Sequence, residues 1–414
     1  MKLFQQMLVA GASLSLLTPI VAQASDVNLE EMNSYSRSNK SSKTLLDSKT
    51  FSKEIVNLNE RVDNIESKFN EFEAGGFSDT TVLDGKAIFD VGSVDTDDDT
   101  YDGTTQFMYT YTLNLNTSFS GDDNLYTRIK TGNHTSWSKT KSVYNTYLSS
   151  GNGNGDTLKV DKLWYTTPVG DSNHTVTFGP KIENYYMHAT TPSIYEPVLK
   201  AFTLGGNAAA YGASTSPGVG WAYTADNGFA MSSNITSKNP IFTNEAKQSW
   251  ATQVGYTQPN YSVSALVNMK YNGWTDSYFM TTDGKARPGD KNSTNVGLRA
   301  WWRPTDAETA IPSISVGYDT SETDASSNSN TTAYFVGLNW TDVFNADDKI
   351  GLAFGQPQMV EGETIEPFLY ELYYKYKVND SISVTPTIFG GTSKNSSDVE
   401  TDMTGYLLQT TFKF

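Results

Sequence analysis

The 414-residue sequence has no cysteine, so no disulfide can brace it. It has only three histidines, His134, His174 and His188, with no shared spacing. No GxSxG, HExxH or phosphate-loop pattern occurs, and His188 with Ser193 is too loose a pair for a hydrolase. No catalytic residue, cofactor or resident metal is therefore expected. Beyond the N-terminus no segment reaches the ~18 apolar residues of a membrane-spanning helix. Basic residues are scarce: 30 Lys and Arg face 46 Asp and Glu, for a net charge of −16. That balance argues against a nucleic-acid partner.

Against these absences stands an aromatic content of 13%, in a chain only 37% hydrophobic. Mean hydropathy is −0.45. Polar on average yet rich in rings is what results when every second residue of a strand meets lipid. Gln106 to Phe119 alternates in this way. Phe107, Tyr109, Tyr111, Leu113, Leu115 and Thr117 lie on one face, and Met108, Thr110, Thr112, Asn114 and Asn116 on the other. The same period runs through 261–271, 334–340 and 368–378. It ends in Tyr406, Leu408, Thr410, Phe412 and Phe414, opposite Leu407, Gln409, Thr411 and Lys413. A soluble domain rarely leaves such an edge bare. The segment resembles the closing strand of bacterial outer-membrane barrels, and that resemblance implies handling by the barrel-assembly machinery through the strand ending at Phe414.

The N-terminus reads as an export signal over residues 1–24: Lys2, an apolar stretch from Met7 to Leu17, then Ala22-Gln23-Ala24. Residues 25–50 read as a linker. Over 51–73, Phe51, Ile55, Leu58, Val62, Ile65, Phe69 and Phe72 are spaced alternately by four and three. That spacing predicts a short periplasmic coiled coil, with Ile55, Leu58, Val62, Ile65, Phe69 and Phe72 as its oligomerisation seam. Arg61 with Glu66, and Lys68 with Glu73, would meet across neighbouring chains. A homotrimer is expected, and Gly75-Gly76 ends the helix.

Residues 77–414 tile into sixteen antiparallel strands, an all-β transmembrane barrel with both ends on the periplasmic side. Short turns such as 121–123, 225–228, 259–260 and 379–380 alternate with long connections, including 138–156, 183–217 and 273–292. Strands running toward the turns finish near Phe119, Tyr165, Tyr223, Tyr256, Trp302, Trp340, Tyr376 and Phe414, a girdle for one membrane interface. The strand 158–168 is untidy, because the parity that sends Tyr165 to lipid also sends Lys159 and Asp161 there.

A barrel of this size is too wide to be filled by its own wall side chains. The wet face nominates Arg128, Lys130, Arg299, Glu371, Lys375 and Lys377 as pore-lining residues. The longest loop, 183–217, is expected to fold inward, with Lys181, Glu183, His188, Glu196 and Lys200 forming a constriction. Asp95, Asp97, Asp98, Asp99 and Asp102 miss the calcium-loop pattern, since the twelfth position is Tyr109 and not Glu.

Val82 to Phe89 after a short coil, Asp161 to Gly170, Val176 to Lys181, and Tyr370 to Lys375 followed by Ile382 to Pro386 together resemble the cyanobacterial members of the carbohydrate-selective (OprB-like) porins. The resemblance runs from about residue 50 to 414 and implies passive diffusion of small solutes, iron or sugars among them, across the outer membrane. Cyanobacterial members usually carry a wall-binding SLH domain between signal and coil; residues 25–50 are too short for one. A plugged barrel with the coil as a spacer is the other reading of the same pattern.

Overall fold

The computed structural model describes residues 80–414, except 98–102, 139–144, 207–208, 213–214, 239, 242, 275–280, 282–291, 306–310, 325–328 and 395–398. The expected signal, linker and coiled coil, with its seam residues, lie outside the described residues.

Sixteen strands form the wall. They are β1 Thr81–Thr96, β2 Gln106–Thr117, β3 Asn124–Gly132, β4 Lys159–Val169, β5 Asp171–Ile182, β6 Ser216–Thr224, β7 Phe229–Ser237 and β8 Gln248–Gln258. They continue as β9 Tyr261–Tyr271, β10 Ser293–Trp302, β11 Ser313–Thr323, β12 Asn330–Thr341, β13 Lys349–Val360, β14 Phe368–Lys377, β15 Ile382–Lys394 and β16 Glu400–Lys413. Each pairs antiparallel with its sequence neighbours, and β1 closes on β16, leaving no free edge. Both chain ends of the wall and the connections 118–123, 170, 225–228, 259–260, 342–348 and 378–381 share one rim. The other rim carries 133–158 and 183–215. The connections 324–329 and 395–399 also lie on that rim.

Register explains the parity. Ala87, Phe89 and Val91 of β1 lie opposite Phe412, Thr410 and Leu408 of β16, all turned outward. Outward Phe107, Tyr261, Val263, Leu298, Tyr318 and Tyr406 are exposed, while inward Met108, Leu266 and Leu407 are buried. The girdle lies where expected, with Phe119 6.5 Å from Tyr165 and Tyr111 5.9 Å from Phe414, ring to ring.

The untidy strand is resolved by a β-bulge. In β4, Val160 and Lys162 lie opposite consecutive residues of β3, Ile129 and Arg128. Asp161 is the extra residue. The bulge reverses parity, so Tyr165 stays outward while Asp161 turns in to pair with Arg128 and Lys159 lies opposite Lys130.

Most of the buried apolar core sits inside the barrel. Inward Val94, Met108, Phe335, Leu369, Tyr373, Phe389 and Leu407 pack with Trp137, Leu148, Tyr195, Leu199 and Phe202 from two inward-folded loops.

Candidate functional site

The loop after β5 enters the barrel and follows its inner wall. A backbone there has lost bulk water, so its N–H groups need partners. Inward polar side chains supply them. Ser232 of β7 accepts from the N–H of Ala189 at 3.1 Å, and Gln253 of β8 from that of Thr190 at 2.9 Å. Trp301 of β10 donates to the Thr191 carbonyl at 3.1 Å. Ser315 of β11 accepts from Ile194 at 3.1 Å, and Asn339 of β12 from Glu196 at 3.2 Å. Glu371 of β14 closes the series: its carboxylate accepts from the Tyr195 hydroxyl at 2.8 Å, the Val198 N–H at 3.1 Å and the Leu199 N–H at 2.6 Å.

A second anchor is Arg299 of β10. It pairs with Asp319 of β11 at 2.8 Å, donates to the carbonyls of Leu204 and Gly206 at 2.8 and 2.7 Å, and lies 4.4 Å from the Tyr211 ring centre. Gly317 makes room for this turn, because a Cβ there would come within 1.8 Å of the Gly205 carbonyl oxygen. Gly205 itself has φ +71°, which favours glycine.

The loop between β3 and β4 also folds inward. Asp90 of β1 holds it, accepting from His134 Nε2 at 2.9 Å and Ser150 Oγ at 2.7 Å, with Gln409 of β16 at 2.9 Å. The other nitrogen of His134 faces the Tyr109 carbonyl at 3.0 Å. The two loops then join: the Ser149 N–H donates to the Val198 carbonyl at 2.7 Å and the Lys200 N–H to the Tyr147 carbonyl at 2.8 Å.

Charges line what remains. Glu183 lies 3.3 Å from Lys162, and Glu196 bridges Lys349 and Lys375. Arg128 pairs with Asp161 and donates to the Tyr186 hydroxyl at 3.1 Å, and Tyr186 is 4.6 Å from the Trp164 ring. Lys200 is partly exposed, and its strongest charged neighbours are Glu183, Arg128, Lys162 and Asp161. Glu183 and Lys200 of the nominated constriction thus share one charged group inside the barrel, and Glu196 sits inside against β13 and β14.

Two nominated residues, Lys181 and His188, stand apart from these charges. Lys181 lies opposite Leu163, an outward residue between buried Lys162 and Trp164, and its ammonium is exposed beside the Val160 carbonyl. The irregular pairing near the end of β5 separates it from the inward row. His188 is inside but buried, edge-on to Tyr211 at 5.6 Å, so it is packing and not a charged lip. Among the pore-lining nominations, Arg128, Lys130, Lys375 and Lys377 face inward, with Lys377 at the turn rim beside Asp347 and Asp380. Arg299 and Glu371 also face inward, but they are buried as loop anchors rather than lining water. Asp90, His134, Lys86 and Lys349 were not nominated. Lys86 and Asp90 were visible in the alternation of β1, whereas His134, in a loop, carries no local signal.

A closed sixteen-strand antiparallel barrel with its third long loop fixed inside is a porin-type barrel. It resembles a loop-deletion mutant of OmpT, an outer membrane protein of Vibrio cholerae, with a TM-score of 0.53 and 13% identity, covering 81% of this chain and 99% of that one. It likewise resembles a mutant of Rh. blastica porin, with a TM-score of 0.52 and 11% identity, covering 81% and 100%. In sequence, residues 49–389 match the carbohydrate-selective porin, OprB family, and the chain belongs to that family of outer-membrane porins. An uncharacterized protein of Nostoc sp. strain PCC 7120 is 26% identical over 88% of this chain and 70% of its own length. One of Synechocystis sp. strain PCC 6803 is 26% identical over 81% and 69%.

Proposed function

We propose that the chain is a passive diffusion channel for small hydrophilic solutes and inorganic ions, working as a homotrimer in the outer membrane with its coil in the periplasm. One observation carries this reading. At the level of the inward loop, Lys86, Lys130, Lys200, Lys349 and Lys375 face inward yet keep contact with solvent. Inward side chains of a closed wall can reach solvent only if the interior holds water. Sugars suit the partly exposed ring of Tyr185, and iron in a complexed, anionic form suits Lys200 of the loop with the wall lysines around it. The chemistry is transit and not catalysis.

The apolar packing under the two loops favours a second reading, a barrel closed by its own loops and used as a spacer. Planar-bilayer recording of the purified full chain separates the two. Current steps in groups of three support a trimeric channel, single steps remove the trimer, and a silent membrane supports the plugged spacer.

A further inference from the structure

Four lysines share one paired row of the wall. Lys413 of β16 lies opposite Lys86 of β1, and Lys86 opposite Thr112 of β2. Thr112 lies opposite Lys130 of β3, and Lys130 opposite Lys159 of β4. Directly paired residues share a face. This face is the lumen, because Arg128, two residues from Lys130, reaches Tyr186 of the inward loop.

Adjacent strands are ~4.8 Å apart, so the row spans ~19 Å along the wall. Strands tilt by ~40° in such barrels, so the row also climbs by ~12 Å. It starts at the turn rim, where Lys413 ends β16, and finishes toward the loop rim, where Lys159 opens β4.

Like charges placed directly opposite one another are destabilising. Elsewhere inside this barrel cations are matched: Lys162 with Glu183, Arg128 with Asp161, Lys349 and Lys375 with Glu196, and Arg299 with Asp319. Among the described residues no acid makes an ion pair with Lys86, Lys130, Lys159 or Lys413, although Asp161 acts on Lys130 and Glu196 on Lys413 from further off. The strongest charges acting on Lys86 are those of Lys413, Arg128, Lys375 and Lys200, all positive. Loop 183–206 takes its backbone fastenings from β7 to β14 and touches the arc from β16 to β4 only through Arg128 and Lys162, while the β3–β4 loop is held on that arc at Asp90, toward the loop rim from Lys86. Lys200 reaches toward this arc from the loop.

We propose that this row is a stepped track that binds small oxyanions of two or more negative charges, inorganic phosphate being the simplest. The proposal rests on the channel reading and names a solute class for it. Opposed lysines have Cβ atoms ~5 Å apart, so one divalent oxyanion bridges Lys86 and Lys413, and another bridges Lys130 and Lys159. The hydroxyl of Thr112 adds a neutral donor between them. A monovalent anion cannot neutralise both members of a pair, so valence is what the track selects.

The test uses purified full-length protein in detergent and in planar bilayers. Inorganic phosphate is titrated calorimetrically at low salt, and its reduction of potassium chloride current is measured. The variants are Lys86→Gln with Lys413→Gln, Lys130→Gln with Lys159→Gln, and, as a control of equal charge change, Lys238→Gln with Lys247→Gln in the β7–β8 connection. The expected result is saturable phosphate binding, weakened about tenfold or more by either row pair and unchanged by the control. The proposal is overturned if a conducting wild-type protein shows no phosphate effect, or if the control pair loses as much as the row pairs. If the barrel does not conduct, calorimetry still decides the site, and only the channel reading falls.

Discussion

Tyr165 donates its phenolic hydrogen to Asp123 across 2.6 Å, tying β4 to the turn before β3. The other carboxylate oxygen of Asp123 accepts from the N–H groups of Phe119 and Ser120 and from the Ser118 hydroxyl, each at 2.8 Å. The device recurs before β13. There Asp348 accepts from the N–H groups of Val343, Phe344 and Asn345 at 2.7, 3.0 and 2.9 Å, and from the Tyr374 hydroxyl at 2.8 Å. In both cases an outward ring at the turn-side interface keeps its apolar body on the wall and uses its polar tip to cap a turn.

Both turns should therefore weaken in acid. Burial works to raise the Asp123 carboxyl, but the bonds from Tyr165, Ser120, Ser118 and Phe119 outweigh it and hold the group well below its ordinary value. Asp348 is lowered in the same way, burial being outweighed by Tyr374 and three backbone N–H groups. A carboxyl lower in the folded than in the unfolded chain stabilises above its unfolded pKa of ~4 and loses that contribution as pH falls through the folded value. Denaturant unfolding of wild type should weaken from about pH 5 downward, and Asp123→Asn with Asp348→Asn should flatten that slope. An equal acid slope in the double variant would assign it to other carboxylates.

Parity can be tested at neighbouring residues. Leu115 pairs with outward Leu83, so Leu115→Arg should cost about 2–4 kcal/mol at mid-membrane depth. Asn114, next to it, looks in the sequence like a free wet-face position. In the structure it accepts from Tyr126 at 2.7 Å and donates to Asp84, so arginine there breaks a buried network. Thr411, inward and only partly buried on β16, is the proper control. Heat-modified gel migration should fall for Leu115→Arg and hold for Thr411→Arg; equal behaviour would contradict the assigned faces.

The wall was legible because period-two alternation is local, and each strand announces its faces in its own residues. The interior was not, because its partners are remote. Asn145 donates to the Gly391 carbonyl at 3.3 Å, 246 residues away, and Asp90 reaches His134 and Ser150 across 44 and 60. A weak signal existed in Met108 and Leu407, apolar residues on nominally wet faces, which need something apolar to cover them. The loop after β3 supplies it with Trp137 and Leu148. The inward course of loop 183–215 was anticipated. That Arg299 and Glu371 would be its fastenings was not, since a charged residue on a wet face reads the same whether it meets water or a backbone.

Glu371 is the most consequential of these fastenings. Its two oxygens satisfy the Tyr195 hydroxyl and the N–H groups of Val198 and Leu199. Glu371→Gln replaces one acceptor by a donor and leaves a buried N–H facing it, a local cost of about 1–3 kcal/mol. The barrel should still close, because strand pairing is untouched. Protease cleavage within 190–206 should speed up several-fold while cleavage in the turns stays the same. An unchanged loop with a destabilised wall would show that Glu371 serves the strand and not the loop.

Selectivity separates the two lysines at either end of this segment. Lys200 projects inside, where its field reaches Lys86, Arg128 and Lys130. Lys181 stands on the outer wall beside the Val160 carbonyl. A charge inside a narrow, low-dielectric passage acts on a passing ion with little screening, whereas one outside is screened within ~10 Å at 0.1 M salt. Lys200→Glu should therefore move the reversal potential in a tenfold potassium chloride gradient toward cation selectivity, and Lys181→Glu should leave it within error. Neutralising Asp97, exposed in the first outer connection, should alter conductance mainly at low salt. A shift from Lys181→Glu as large as that from Lys200→Glu would place the selective charges on the rim and would overturn the constriction built from the inward loop.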